Sequence, residues 1–221
     1  IIIARHPIYF CNNKRKKKAL FYVYEKLARH YRTIRKRKKA AFYAKIAIKN
    51  GSNTPVLSEI LKEEKMSNLN EIAPDFNLKN TEKNDIALSS FKGKTVVLAF
   101  YPGAFTGVCD TEMCSLRDSM NSFNDLNATV LGISVDSPWA NAEFAKKYEI
   151  NFNLLSDYNR DVSKAYDMIF NGLGGLEGYE CSNRGVLIID REGLIQYRWV
   201  AENPGIEPNY SEIIEKVKSL S

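Results

Sequence analysis

Histidine is missing from the last 156 residues of this 221-residue chain; the only two, His6 and His30, lie in the first 65. A nucleophile beyond residue 65 therefore has no imidazole base, and a mixed Cys/His metal site is poorly supported there. Aspartate is missing from the first 65 residues, which hold 18 Lys and Arg against 4 Glu, a net charge of +14. The remainder carries 14 basic and 22 acidic side chains, a net of −8, so the overall +6 conceals two sequences of opposite sign joined near Met66. Cysteine is scarce. Cys11, Cys109, Cys114 and Cys181 are too few and too unevenly spaced for a secreted, cross-linked fold, and they point to a reducing compartment, the cytoplasm, with reactive thiols. There is no Cys-x-x-Cys for thioredoxin-type exchange. Long apolar runs are missing too: the opening Ile1–Ala4 stops at Arg5, far short of the ~18 residues that span a bilayer, which predicts a soluble protein.

What is present divides at residue 65. Basic clusters at 14–18 and 35–39 alternate with aromatic and aliphatic residues, and Leu20, Tyr24, Leu27, Tyr31 and Ile34 recur at helical spacing, predicting a basic amphipathic helix. Two readings of residues 1–65 stand side by side. One is a disordered extension without a role, upstream of a start at Met66; the other is an arm whose residues 14–49 contact nucleic acid or an anionic membrane. A targeting presequence fits less well, because the stretch is poor in Ser and rich in Lys. Residues 50–65 read as a linker with one short helix starting near Ser58.

From Met66 to Ser221 the pattern is regular. Residues 95–102, 128–136 and 184–190 are near-continuous β-branched apolar runs, expected of strands buried on both faces. Between them, 109–126 carries Met113, Leu116, Met120 and Phe123 on one helical stripe, Ser137 and Pro138 open a second helix, and 158–166 a shorter one. A hairpin turning at Arg191–Gly193 and an amphipathic helix over 208–220 follow. This order describes a thioredoxin-like three-layer α/β/α sandwich around a mixed sheet, preceded by the basic extension. Cys109 then falls in the first turn of a helix at the C-terminal edge of the sheet, where unpaired N–H groups and the helix dipole favour a thiolate. Cys109 is the candidate nucleophile.

Pro102, Thr106 and Cys109 match the Pro-x-x-x-Thr-x-x-Cys signature, and with APDFNL (73–78), FKGKTVVLAFYP (91–102) and RGVLIIDREG (184–193) the chain resembles the peroxiredoxins over residues 67–220. Cys114, five residues after Cys109, is similar to the second cysteine of the bacterioferritin comigratory protein, or peroxiredoxin Q, branch, while PGAFTGVC is also similar to the AhpE-like branch. Gly107 departs from the pattern, standing where many members carry Pro. The resemblance implies a peroxidase acting on hydrogen peroxide and organic hydroperoxides, with no cofactor or metal, recycled by a thioredoxin-like dithiol, as a monomer or homodimer. It assigns Cys109 as attacking sulfur, Thr106 and Arg184 as its polar partners, backbone N–H groups near Val108 and Cys109 as donors to the peroxide, and Pro102 as its shield from water. Cys114 resolves the oxidised sulfur, with Cys181 as the alternative. Glu112 matches a glutamate of the motif but is left outside the catalytic set. From spacing alone Thr106 reads equally as a helix cap, and Arg184 as a surface residue entering a strand.

Acidifying the thiol gives limited help. Dropping its pKa from about 8.5 to about 6 raises the thiolate fraction at pH 7 roughly thirtyfold, but the accompanying loss of nucleophilicity costs roughly tenfold. Most of the rate must come from stabilising the transition state. Two cysteines five apart on an ideal helix have Cα atoms roughly 8–9 Å apart, against about 4.4–6.8 Å in a disulfide, so the helix must unwind before Cys109 and Cys114 join. A competing reading is a redox sensor or scaffold whose basic arm does the binding.

Overall fold

The computed structural model describes residues 14–33, 37–65 and 69–221, in two compact units that divide between Asn68 and Leu69. Cys11, His6, Ile34 and the boundary expected at Met66 lie outside the described residues, as do the side chains of 14–21, Leu20 among them.

The described residues of the first unit form three helices, α1 (Lys14–Thr33), α2 (Arg37–Lys49) and α3 (Pro55–Lys65). Ala28, Ala40, Ala44 and Ala47 let the helix axes approach closely, and Leu57 and Ile60 fill the seam. Tyr43 stacks between Tyr24 and Tyr31, with ring centroids at 6.1 and 5.4 Å. Helix α3 begins at Pro55, three residues before the start expected at Ser58, because proline is well suited to the first helical position.

The second unit runs β1 (Asn77–Asn80), β2 (Asp85–Ala87), β3 (Thr95–Phe100), α4 (Gly107–Asp118), α5 (Met120–Asp125), β4 (Ala128–Ser134), α6 (Pro138–Lys147), β5 (Asn153–Ser156), α7 (Asp161–Ala165), β6 (Ile169–Asn171), β7 (Glu180–Ser182), β8 (Gly185–Ile189), β9 (Ile195–Val200) and α8 (Tyr210–Lys218). Seven strands form one mixed sheet in the order β2-β1-β5-β4-β3-β8-β9, with β3, β4 and β5 parallel and the rest antiparallel; β6 and β7 pair separately.

The apolar runs become the central strands because alternate residues enter two cores. On one face Val97, Ala99, Val186 and Ile188 meet Met113, Leu116, Phe123 and Phe144 from the helices, with Ile213 and Val217 of α8. On the other, Val96, Leu98, Phe100, Leu187 and Ile189 meet Phe76, Val162 and Tyr166. The result is the expected three-layer sandwich. Ser137 caps α6, accepting from Ala140 N at 3.3 Å, with Pro138 at the first turn. The helix expected over 109–126 is instead two, α4 and α5, broken at Ser119, whose hydroxyl donates to Ser115 O at 2.8 Å. Thr111 and Ser115 make the same back-bond within α4 without interrupting it, so the hydroxyl accompanies the break and does not by itself cause it. The apolar stripe continues through the break, which is why the sequence conceals it.

Candidate active site around Cys109

Strand β3 delivers residues 101–106 at the C-terminal edge of the sheet, and α4 starts there. Pro102 is buried. Phe105 takes a left-handed backbone, φ 62°, and turns the chain so that Thr106 occupies the N-cap of α4. Thr106 does not cap with its side chain; its hydroxyl donates to Gly103 O at 2.8 Å. Cys109 lies one turn in, on the apolar stripe of α4, and is only 1% exposed. Its N–H donates to Thr106 O at 2.8 Å, so this backbone donor, expected to serve a peroxide, is already engaged.

Arg184 arrives from the neighbouring strand. Because β3 and β8 run antiparallel with Phe100 opposite Gly185, the residue before Gly185 emerges at the same edge as Tyr101 and Pro102. Gly185 is required there: a Cβ would come within 2.7 Å of Met168 Sδ and 3.0 Å of Trp199 O. The Arg184 side chain is 1% exposed and each arm of its guanidinium is used. Nη2 donates to Cys109 Sγ at 3.1 Å, Nε donates to Pro204 O at 2.7 Å, and Nη1 pairs with Glu112 Oε2. It is therefore not a surface residue.

Glu112 is fully buried one turn beyond Cys109, and its Oε1 has no hydrogen-bond partner. Burial pushes its carboxyl up to about 7, against the pull of Arg184. Burial also raises the Cys109 thiol, opposed by the Arg184 charge and then by Thr106 and the Gly103 backbone. The expectation of an acidified thiol is thus not met in this closed pocket: the loss of water outweighs the favourable neighbours. Cys114 is half-buried on the same helix, and α4 is continuous between it and Cys109. Cys181 is fully buried in β7, and burial pushes its thiol up to about 11.

The structure thus brings Cys109, Thr106 and Arg184 together with Pro102 buried beside them in sequence, and it leaves Cys114 and Cys181 as free thiols. Residues 69–198 match the family model described as AhpC/TSA.

The chain belongs to that family. It is 33% identical over 149 residues to peroxiredoxin Bcp of Bacillus subtilis, a match covering 67% of this chain and 94% of that protein. Peroxiredoxin Q, chloroplastic, of Triticum aestivum is 38% identical over 126 residues, 57% of this chain, which spans only 56% of that relative's length. The crystal structure of peroxidoxin BcpB from Mycobacterium tuberculosis superposes with a TM-score of 0.61 at 25% identity, over 70% of this chain and 98% of that one. The resemblance read from Pro102, Thr106 and Cys109 is borne out, including its Bcp and peroxiredoxin Q branch.

Two features of the site have no local signal in the sequence. The Pro204 carbonyl that fixes Arg184 Nε lies 20 residues away, and the Arg184–Glu112 pair spans 72. Among the described residues, no group of three or more His, Cys, Asp or Glu side chains is placed to hold a metal ion, and no helix is long and apolar enough to cross a membrane.

Proposed function

We propose that residues 69–221 act as a thiol peroxidase on hydrogen peroxide and organic hydroperoxides, with Cys109 as the attacking sulfur. The observation that carries this reading is the 3.1 Å contact between Arg184 Nη2 and Cys109 Sγ, made where both side chains are 1% exposed. A guanidinium held in a dry pocket by a carboxylate and a carbonyl is preorganised to stabilise negative charge on sulfur and on the departing oxygen. In the reaction the Cys109 thiolate attacks one peroxide oxygen, an S–O bond forms, and the O–O bond breaks. The second oxygen leaves as hydroxide or alkoxide and takes up a proton, while the sulfur loses two electrons and becomes sulfenic acid. Thr106 orients the peroxide and Pro102 keeps water from the sulfur.

Cys114 then condenses with the sulfenic acid, releasing water and forming a disulfide. Helix geometry requires the first turns of α4 to unwind for this. Cys114 is a better resolver than Cys181, because Cys114 is half-buried on the helix that carries Cys109, whereas Cys181 is fully buried in β7. A dithiol reductant of the thioredoxin kind restores both thiols, which suits a reducing compartment such as the cytoplasm. Contact of residues 14–49 with nucleic acid or an anionic membrane is a separate reading, favoured by the exposed Lys26, whose ammonium lies 4.7 Å from the ring centroid of exposed Tyr22, and by the exposed Lys39. Deleting residues 1–65 separates it from peroxidase activity.

The test is rapid mixing of reduced protein with one equivalent of hydrogen peroxide, followed by tryptophan fluorescence and mass, beside Cys109→Ser. Fast oxidation that requires Cys109 is the expected result. Oxidation at the rate of an ordinary free thiol overturns the reading.

A further inference from the structure

Strands β3 and β4 are parallel neighbours with Phe100 opposite Ile133, and beyond them Tyr101 N still donates to Ile133 O at 3.0 Å. Residues 101–106 and 135–137 therefore leave the sheet side by side. Asp136 is the first carboxylate past β4, and its Oδ2 accepts from Ala104 N at 2.8 Å. That N–H belongs to the same peptide group as the Gly103 carbonyl, which accepts from the Thr106 hydroxyl at 2.8 Å. One peptide unit thus carries a carboxylate on its donor end and Thr106 on its acceptor end. Gly103 lies between the two side chains: a Cβ built on it would sit 3.9 Å from the Thr106 methyl and 4.0 Å from Asp136 Oδ2.

Asp136 is itself held in place. Its N–H donates to Ser134 Oγ at 3.2 Å and its carbonyl accepts from the Ser156 hydroxyl; both serines are buried. Ser134 continues to Asn141, the buried acceptor that also takes the Tyr101 hydroxyl.

We infer that Asp136 is a positioning residue for Thr106, acting through the Gly103–Ala104 peptide. This rests on the reading above that Thr106 orients the peroxide. A carboxylate on the N–H end polarises the peptide and makes the Gly103 oxygen a stronger acceptor, since linked hydrogen bonds reinforce one another. The single Thr106 proton, which Cys109 Sγ can also draw on, is thereby committed to Gly103, and the hydroxyl oxygen presents its lone pairs to the O–H of an incoming peroxide. Without Asp136 that proton is freer to rotate toward the sulfur, and the hydroxyl ceases to be a fixed acceptor.

The experiment is a double-mutant cycle on the full chain, reading the rate of Cys109 oxidation by hydrogen peroxide in Asp136→Ala, Asp136→Asn, Thr106→Val and Asp136→Ala with Thr106→Val. Asp136→Ala should slow oxidation about tenfold, the scale of one charge-assisted hydrogen bond. Asp136→Asn, whose amide oxygen can still accept from Ala104 N, should recover most of that loss. With Thr106→Val in place, Asp136→Ala should cost less than about twofold more, because the route through Thr106 is gone. An undiminished tenfold effect in that background overturns the inference, as does Asp136→Ala at the wild-type rate. Should Asp136→Ala fail to fold, the same cycle is read with Asp136→Glu, whose carboxylate is displaced by one methylene. A wild-type protein that reacts like an ordinary thiol overturns the peroxidase reading and this one with it, whereas additivity in the cycle overturns this one alone.

Discussion

The Tyr148 hydroxyl, just past the end of α6, donates to Asp110 Oδ2 in the first turn of α4 at 2.6 Å. Arg117, near the other end of α4, donates to the Tyr148 carbonyl. One residue thus ties both ends of the helix that carries Cys109 and Cys114. Removing the hydroxyl with Tyr148→Phe should loosen the first turn and speed the step from sulfenic acid to disulfide, by about tenfold or more for a hydrogen bond to a carboxylate. Quenched-flow mass spectrometry of the step after Cys109 oxidation measures it, and an unchanged rate would show that this tether does not limit unwinding.

Cys114→Ser should leave the first oxidation of Cys109 at its wild-type rate and abolish the internal disulfide. The oxidised variant should carry one added oxygen, where the wild type ends two mass units lower. A two-unit loss that persists in Cys114→Ser and vanishes in Cys181→Ser would move the resolving role to Cys181.

Arg184→Lys keeps a charge but loses the fork that reaches Cys109, Glu112 and Pro204 together. Oxidation of Cys109 should slow on the order of a hundredfold, as when an oxyanion donor is removed. Arg184→Gln should in addition lower stability by leaving Glu112 buried without its partner, and Arg184→Gln with Glu112→Gln should regain part of that without regaining rate. Stopped-flow rates and denaturant unfolding separate the two effects.

The Glu112 carboxyl, pushed up to about 7 by burial, binds its proton more tightly folded than unfolded. Its favourable contribution is therefore complete below the unfolded value of 4.5 and is lost as pH rises through about 7. Relative to Glu112→Gln, the wild-type protein should lose unfolding temperature between pH 4.5 and 7 and then level off. A difference that stays flat across that window would mean the carboxylate is ionised throughout.

Gly185→Ala would drive a methyl group against Met168 Sδ and Trp199 O. Overpacking of this kind costs about 1–3 kcal/mol, and because Arg184 is the preceding residue, the rate of Cys109 oxidation should fall with it. Equal stability and rate in the variant would show that β8 can shift without moving Arg184.

The sequence is most informative where one physical rule dominates. Strands β3, β4 and β8 are legible because both faces enter cores, leaving unbroken apolar runs. Strands β1, β2 and β5 are three or four residues long with polar or half-buried positions, and they leave no such trace. In the site, Pro102, Thr106 and Cys109 are legible because they share one loop and one helical turn. The burial of Arg184 is not, since its partners come from α4 and from the segment after β9, both far from it in sequence. Nor is the rise of the Cys109 thiol, because the helix N-terminus is visible in sequence while the closing over of the pocket is not.

The interruption at Ser119 also limits damage. A helix that ran unbroken from Gly107 to Asp125 would carry any unravelling at its front toward Met120 and Phe123, side chains on which the sheet depends for cover. If the proposed cycle operates, ending α4 at Asp118 would work as a firebreak: the leading turns could come apart and re-form while the segment behind them stays seated in the protein interior.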